Sequence, residues 1–109
     1  MNNYIIVRNE DKADSLKVAG EIASYISSKG GTASVINRNL ETMREAIEVS
    51  DDTECVIVLG GDGSILRTVR GLYPVIVPVV GVNMGHLGFL TQTDPSGVKP
   101  LIEIGRAHV

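Results

Sequence analysis

The chain has 109 residues, of which 43% are hydrophobic and 21% are charged, and its net charge at pH 7 is -3. This length and hydrophobic fraction suit one domain with a packed core and exclude a disordered chain. The acidic balance argues against nucleic acid as a partner, and no apolar run reaches the ~20 residues of a membrane span, which argues against a membrane. The single cysteine, Cys55, has no pairing partner, so we expect a cytoplasmic protein.

Apolar strand patterns alternate with segments of helical periodicity along the chain. Strands are predicted at 4–7, 33–36, 54–59 and 75–81, and helices at 15–29, 40–47 and from 64 to about 72. This alternation predicts an α/β fold: a Rossmann-like, doubly wound parallel sheet of about four strands with helices on both faces and right-handed crossovers. The pattern leaves the strand order open.

A glycine-rich turn, Gly60-Gly61-Asp62-Gly63, follows the most apolar strand. Glycines allow a positive φ and let backbone N–H groups approach an anion. A helix that opens at Ser64 would direct its N-terminal dipole at the same point, with Ser64 as its N-cap or as a hydrogen-bond donor to phosphate. The turn therefore predicts a phosphate site.

Asp62 is unexpected in such a turn, because a carboxylate repels phosphate. It suits a general base, worth ~10²–10⁴-fold in rate, or a metal ligand. The turn lacks the Gly-Lys-Ser/Thr of a Walker loop, and Leu66 stands where a dinucleotide fingerprint has its third glycine. The alternative is an ordinary tight turn with an exposed Asp. Arg67 could hold an anion at the turn, or could lie with Arg70 on a solvated helix face.

A second glycine cluster, at 81–91, follows the fourth predicted strand. It contains Asn83, Gly85 and the single Phe of the chain, Phe89. Because parallel strands end at the same edge of a sheet, we expect it beside the first turn. His86 is more readily explained by a hydrogen bond to a carbonyl than by catalysis. No spacing of Cys, His or Asp resembles a zinc site, and we assign no metal ligand.

Together, the turn from Gly60 to Ser64 and the cluster from Gly81 to Thr91 resemble the amino-terminal domain of bacterial NAD kinases. The resemblance covers about residues 4–102 and is weak before residue 54. It implies transfer of the γ-phosphate of ATP, or a phosphate of polyphosphate, to the 2′-hydroxyl of the adenosine ribose of NAD. The product is NADP, and a divalent metal such as Mg²⁺ takes part.

The resemblance also assigns roles to individual residues. Asp62 matches the general base, and Leu66 and Phe89 match positions that line the adenine pocket of NAD. Arg67 matches a nucleotide-binding position. The phosphate turn and the remaining nucleotide contacts correspond to Gly60, Gly61, Gly63, Ser64, Asn83 and Gly85.

Two departures from the family stand out. Ser64 replaces the usual Thr but keeps the hydroxyl. The family's β-rich second domain, with an Asn-Glu pair and much of the oligomer interface, is missing from this sequence. We therefore expect residues 1–102 to be a truncated amino-terminal domain that is inactive alone, and the full-length protein to be a homo-oligomer. Residues 103–109 read as the codons of a sequencing adapter and are interpreted as a non-native tail; a natural short tail is the alternative.

Two other functions remain open from the sequence. One is another kinase of the same superfamily, similar to diacylglycerol and sphingosine kinases or to 6-phosphofructokinases, which share the first motif. The other is a nucleotide-binding module without catalysis.

Overall fold

The computed structural model describes residues 3–84, 93–100 and 102. Four parallel strands form one sheet, and helices cover both of its faces, so the predicted α/β class is confirmed. In chain order the elements are β1 (Asn3–Asn9), α1 (Ser15–Ser28), β2 (Thr32–Arg38), β3 (Thr53–Gly60), α2 (Asp62–Leu72) and β4 (Val79–Asn83), followed by a 3₁₀ turn (Pro95–Gly97). The predicted tail at 103–109 lies outside the described residues.

The strand order is β2-β1-β3-β4. After β1 the chain moves to one side to form β2, and then crosses to the other side of β1 to form β3 and β4. The direction of winding therefore reverses between β1 and β3. In open parallel sheets, ligands bind outside the carboxyl ends of the strands at such a switch point. The strand order alone therefore predicts that a ligand binds at the carboxyl ends of β1 and β3.

Side chains of β1 and β3 alternate between two apolar cores. One face of the sheet packs against α1, and its core contains Tyr4, Ile6, Ala19, Ile22, Ile26, Ile57, Leu59, Val82, Val98 and Ile102. The other packs against α2 and the 43–49 segment, with Ile5, Val7, Met43, Ile47, Val56, Val58, Ile65 and Leu72. Full burial of one such aliphatic side chain is worth about 1.5–3 kcal/mol, so both faces stabilise the central strands.

The predicted helix at 40–47 is wrong, because this segment forms turns. The Asn39 side chain accepts hydrogen bonds from the backbone N–H groups of Glu41 and Thr42, at 2.9 and 3.0 Å, as a helix N-cap does, but only turns and irregular backbone follow. The Arg38 guanidinium then donates to backbone carbonyl oxygens of Thr42, Glu45 and Ala46. Met43 and Ile47 of this segment are buried nonetheless, so the helical spacing of these two residues reflected burial without a helix.

Both boundaries of the fourth predicted strand also shift. β4 spans Val79–Asn83 rather than 75–81, and Val79 is the first residue in register with β3. Pro74 and Pro78, which lack a backbone N–H, precede it. Cys55 is partly buried against the α1-side core, and burial raises the pKa of its thiol from 9.0 to about 11. Neither α1 nor α2, nor any other described helix, is long and apolar enough to cross a membrane.

Candidate functional site

The candidate site lies at the switch point, where β3 ends in Gly60 and α2 begins at Asp62. Gly61 is the N-cap residue, in an extended conformation, and Asp62 occupies the first helical position. The first backbone N–H groups of a helix have no acceptor within the helix and carry the positive end of its dipole. This end of α2 can therefore hold an anion.

The glycines of this turn serve a different purpose from the one predicted. A positive φ was expected here, but within the described part of the chain it occurs at Gly30, with φ 85°. Gly60 is needed for space, since a Cβ there would overlap the Ser64 side chain, 2.7 Å from the Ser64 Cβ. A Cβ at Gly61 would meet no heavy atom of the described residues within 4 Å. As far as residues 3–84, 93–100 and 102 go, the flank of Gly61 is thus open to another molecule.

Ser64 is not the helix cap, because α2 begins two residues earlier than predicted. Its side chain is 2% exposed and lies against the end of β1. There the Ser64 Oγ accepts a hydrogen bond of 3.3 Å from the Asn9 Nδ2. Through this hydrogen bond the Ser64 hydroxyl connects α2 to β1.

Asn9 was missed by the sequence analysis. It ends β1, is 2% exposed, and its Oδ1 accepts a hydrogen bond of 3.0 Å from the Asp11 N–H. Its backbone carbonyl accepts a bond of 2.7 Å from the Ser15 Oγ, at the start of α1. A polar residue at the end of an apolar strand was the available signal. Its meaning depends on β1 lying beside β3, which the sequence left open.

Arg67 and Leu66 lie on α2 close to the turn. The Arg67 Nη1 donates a hydrogen bond of 3.2 Å to the Gly63 carbonyl oxygen, so the guanidinium folds back toward the start of the helix. Leu66 is 53% exposed and lies four residues after Asp62, a spacing that puts both on the same helix face. An exposed apolar side chain beside the carboxylate could contact a flat, apolar ligand group.

The second glycine cluster adjoins the first turn, as expected, to the extent that it is described. Asn83 ends β4 in register with Gly60, and the Met84 N–H donates to the Gly60 carbonyl oxygen at 3.1 Å. The Asn83 N–H donates to the Thr93 carbonyl oxygen at 2.8 Å, so the chain returns to this edge. The sequence-predicted residues Gly85, His86 and Phe89 lie outside the described residues.

The turn offers one carboxylate to a metal ion. Across residues 3–84, 93–100 and 102, no group of three His, Cys, Asp or Glu side chains could hold a metal. Mg²⁺ commonly binds through one or two carboxylates together with substrate phosphates and water. Asp62 therefore fits a Mg²⁺ ion that arrives with the phosphates of a nucleotide, and does not by itself form a metal cage.

Comparison with known proteins identifies the family. The sequence-family model of the ATP-NAD kinase N-terminal domain matches residues 31–104 of this chain. An NAD kinase of Bifidobacterium longum subsp. infantis is 39% identical over 109 residues, covering 97% of this chain and 32% of the relative. An NAD kinase of Agathobacter rectalis is 32% identical over 107 residues, covering 94% of this chain and 38% of the relative. The chain thus spans about a third of the length of these curated relatives.

The structure of yeast NADH kinase in complex with NADH has a similar fold, with a TM-score of 0.58. The alignment covers 98% of this chain and 38% of the yeast chain, at 18% identity, so it shows a shared fold. The family match covers more than half of the chain and includes the turn at the switch point. The chain therefore belongs to the NAD kinase family and carries its N-terminal domain.

Proposed function

We propose that the full-length protein is an NAD kinase that transfers the γ-phosphate of ATP to the 2′-hydroxyl of the adenosine ribose of NAD. The observation that carries this proposal is the position of Asp62. It is the first residue of α2, beside the open flank of Gly61, at the switch point of the sheet. A base and an anion-binding helix end thus lie within one turn, which is what phosphoryl transfer to a hydroxyl requires.

In the proposed reaction the Asp62 carboxylate accepts the proton of the ribose 2′-hydroxyl. The hydroxyl oxygen forms a bond to the γ-phosphorus of ATP, and the bond from that phosphorus to the β,γ-bridging oxygen breaks, releasing ADP. The first N–H groups of α2 stabilise phosphate charge, and Arg67 can add its guanidinium by leaving the Gly63 carbonyl. A Mg²⁺ ion bound with the phosphates would neutralise further charge.

The adenosine half of NAD would lie on the apolar side of the turn. Leu66 is exposed on the same helix face as Asp62 and can pack against the adenine ring. Asn83 is close by, since it pairs in register with Gly60. We carry Phe89 and Gly85 into the proposal on the family resemblance alone.

The test is Asp62→Asn in the full-length gene product, with NADP formation from ATP and NAD as the assay. Loss of the base should lower kcat by ~10²–10⁴-fold, while the NAD affinity measured by calorimetry stays within about threefold. The matched control is Asp52→Asn, an exposed carboxylate at the opposite edge of the sheet, which should leave kcat unchanged.

Unchanged turnover in Asp62→Asn would contradict the proposal and favour a non-catalytic role for this turn. Phosphorylation of diacylglycerol, sphingosine or fructose 6-phosphate in place of NAD would instead assign the turn to another kinase of the superfamily.

A further inference from the structure

We propose that Asn9 is a positioning residue for phosphoryl transfer: it holds the Ser64 hydroxyl and thereby fixes the turn that carries Asp62. This inference rests on the proposed function. The Asn9 side chain donates to the Ser64 Oγ and accepts from the Asp11 N–H, and among the described residues assigned to base or nucleotide chemistry these two bonds reach Ser64 alone. Its role therefore depends on where it places α2.

The contact is buried and closely packed. Asn9 and Ser64 are both nearly inaccessible to solvent, and their side chains meet at 3.3 Å, from Nδ2 to Oγ. Gly60 closes the other side, because a Cβ on it would overlap the Ser64 side chain and lie 3.6 Å from the Asn9 Cβ. The Ser64 side chain is thus held between the ends of β1 and β3, with little space to move.

Asp62 moves with Ser64 because both belong to the first turn of α2. A shift of Ser64 away from β1 would displace the Asp62 carboxylate and redirect the anion-binding N–H groups of the helix. Misplacement of a reacting group by about 1 Å can cost ~10²-fold in rate. One buried hydrogen bond can therefore affect catalysis more than it affects folding.

The end of β1 has anchors that do not involve the Asn9 side chain. The Asn9 carbonyl oxygen accepts from the Ser15 Oγ at 2.7 Å and from the Lys12 N–H at 3.0 Å. The Glu10 N–H donates to the Arg38 carbonyl oxygen of the neighbouring strand at 2.8 Å. Truncating the Asn9 side chain should therefore remove the link to Ser64 and the bond from the Asp11 N–H, and leave the strand in place.

The test compares Asn9→Ala with Asn3→Ala in the full-length gene product. The two asparagines stand at opposite ends of β1, and each side chain makes hydrogen bonds. Asn9→Ala should lower kcat by about 10- to 100-fold and leave the KM for NAD within about threefold, since Asp62 is displaced while the adenosine contacts remain. Asn3→Ala should leave both unchanged. Equal losses in the two variants, or an unchanged kcat in Asn9→Ala, would overturn the inference.

A double-mutant cycle tests whether Asn9 acts through Ser64. In a Ser64→Ala background the further change Asn9→Ala should alter kcat by less than about twofold, because the link is already absent. If the kcat losses of the two single variants instead multiply in the double variant, the inference is overturned.

A readout that needs no activity separates this inference from the proposed function. Hydrogen exchange of a peptide that covers residues 60–68 should be faster in Asn9→Ala and unchanged in Asn3→Ala. If the wild-type protein forms no NADP, the proposed function fails, and exchange alone decides the link between Asn9 and α2. Unchanged exchange in Asn9→Ala would overturn that link.

Discussion

The two edges of the sheet differ in what the backbone brings to them. Because the strands are parallel, all of them start at one edge and end at the other. Both α1 and α2 follow directly after a strand, so both helices begin at the carboxyl edge, which also holds Asn9, Gly60 and Asn83. Helix N-termini carry partial positive charge and unbonded N–H groups, whereas C-termini carry the opposite charge. The carboxyl edge is therefore the one suited to phosphate.

The amino edge shows that polar clusters and open space do not by themselves mark a site. There the Asn3 Nδ2 donates to one oxygen of Asp52 at 2.7 Å, and the Ser50 Oγ donates to the other at 2.6 Å. An open groove of about 650 Å³ lies alongside, lined in part by Asn3, Thr32, Glu48 and Ser50. The Glu48 carboxylate in the groove lining disfavours anions, as do the C-terminal ends of α1 and α2 at this edge. The sign of the partial charge at the helix ends follows from the direction of the chain. It distinguishes the two edges more clearly than the volume of the groove does.

The largest expected effect tests whether the carboxyl edge of the sheet is by itself a complete substrate site. Among the described residues the turn is open at Gly61 and Leu66 is exposed, and the chain spans 38% and 32% of two curated relatives. If this edge is one part of a larger site, residues 1–102 purified alone should form NADP at least ~100-fold more slowly than the full-length gene product, because a substrate held on one side is poorly oriented. NADP production by the isolated piece at a comparable rate would contradict this.

A second prediction contrasts a glycine at each edge by thermal unfolding of the full-length gene product. Gly30, which precedes β2, has a φ of 85°, so Gly30→Asn should be tolerated better than Gly30→Ala. Gly60 lacks space, so Gly60→Ala should cost about 1–3 kcal/mol and Gly60→Asn more. Gly61→Ala, which meets open space, should stay within about 0.5 kcal/mol. The same ranking of Ala and Asn at both edges would refute the distinction.

The smallest expected effect is at the amino edge, where the hydroxyl of Ser50 lowers the pKa of Asp52 below its ordinary 3.8. Because the pKa is depressed in the folded protein, Asp52 stabilises the fold above pH 3.8, and that contribution is lost as the pH falls through the folded-state pKa. Ser50→Ala should raise the pKa of Asp52 toward its ordinary value, as followed by NMR titration, with NADP formation unchanged at neutral pH. A loss of activity would mean that the two edges are coupled.

The local pattern of the sequence was sufficient for most of the fold. β1, α1 and β3 were located within a few residues, because buried parallel strands read as short apolar runs and α1 shows helical spacing. The 40–47 segment was misread as a helix because burial of Met43 and Ile47 gave the same spacing. The Asn39 bonds match a helix N-cap and gave no local sign against a helix. The Arg38 guanidinium instead bonds the carbonyl oxygens of Thr42, Glu45 and Ala46, a tertiary contact that local pattern does not show.

The candidate site was predicted in part. Asp62 and the turn around it were proposed as a site from residue types alone, since a loop that only binds phosphate gives no reason for a carboxylate, and the strand order places this turn at the switch point. The sequence by itself also determined that a second glycine cluster would follow the next strand.

Only the tertiary structure decided which strand ends lie together, and this is why Asn9 was missed. The order β2-β1-β3-β4 places Asn9 beside Ser64, although the two are 55 residues apart in the chain. It also turned Ser64 from an expected helix cap into a buried link, because α2 begins at Asp62. Secondary-structure propensity depends on short segments of sequence, whereas the neighbours of a parallel strand depend on crossover connections and on the packing of both faces of the sheet.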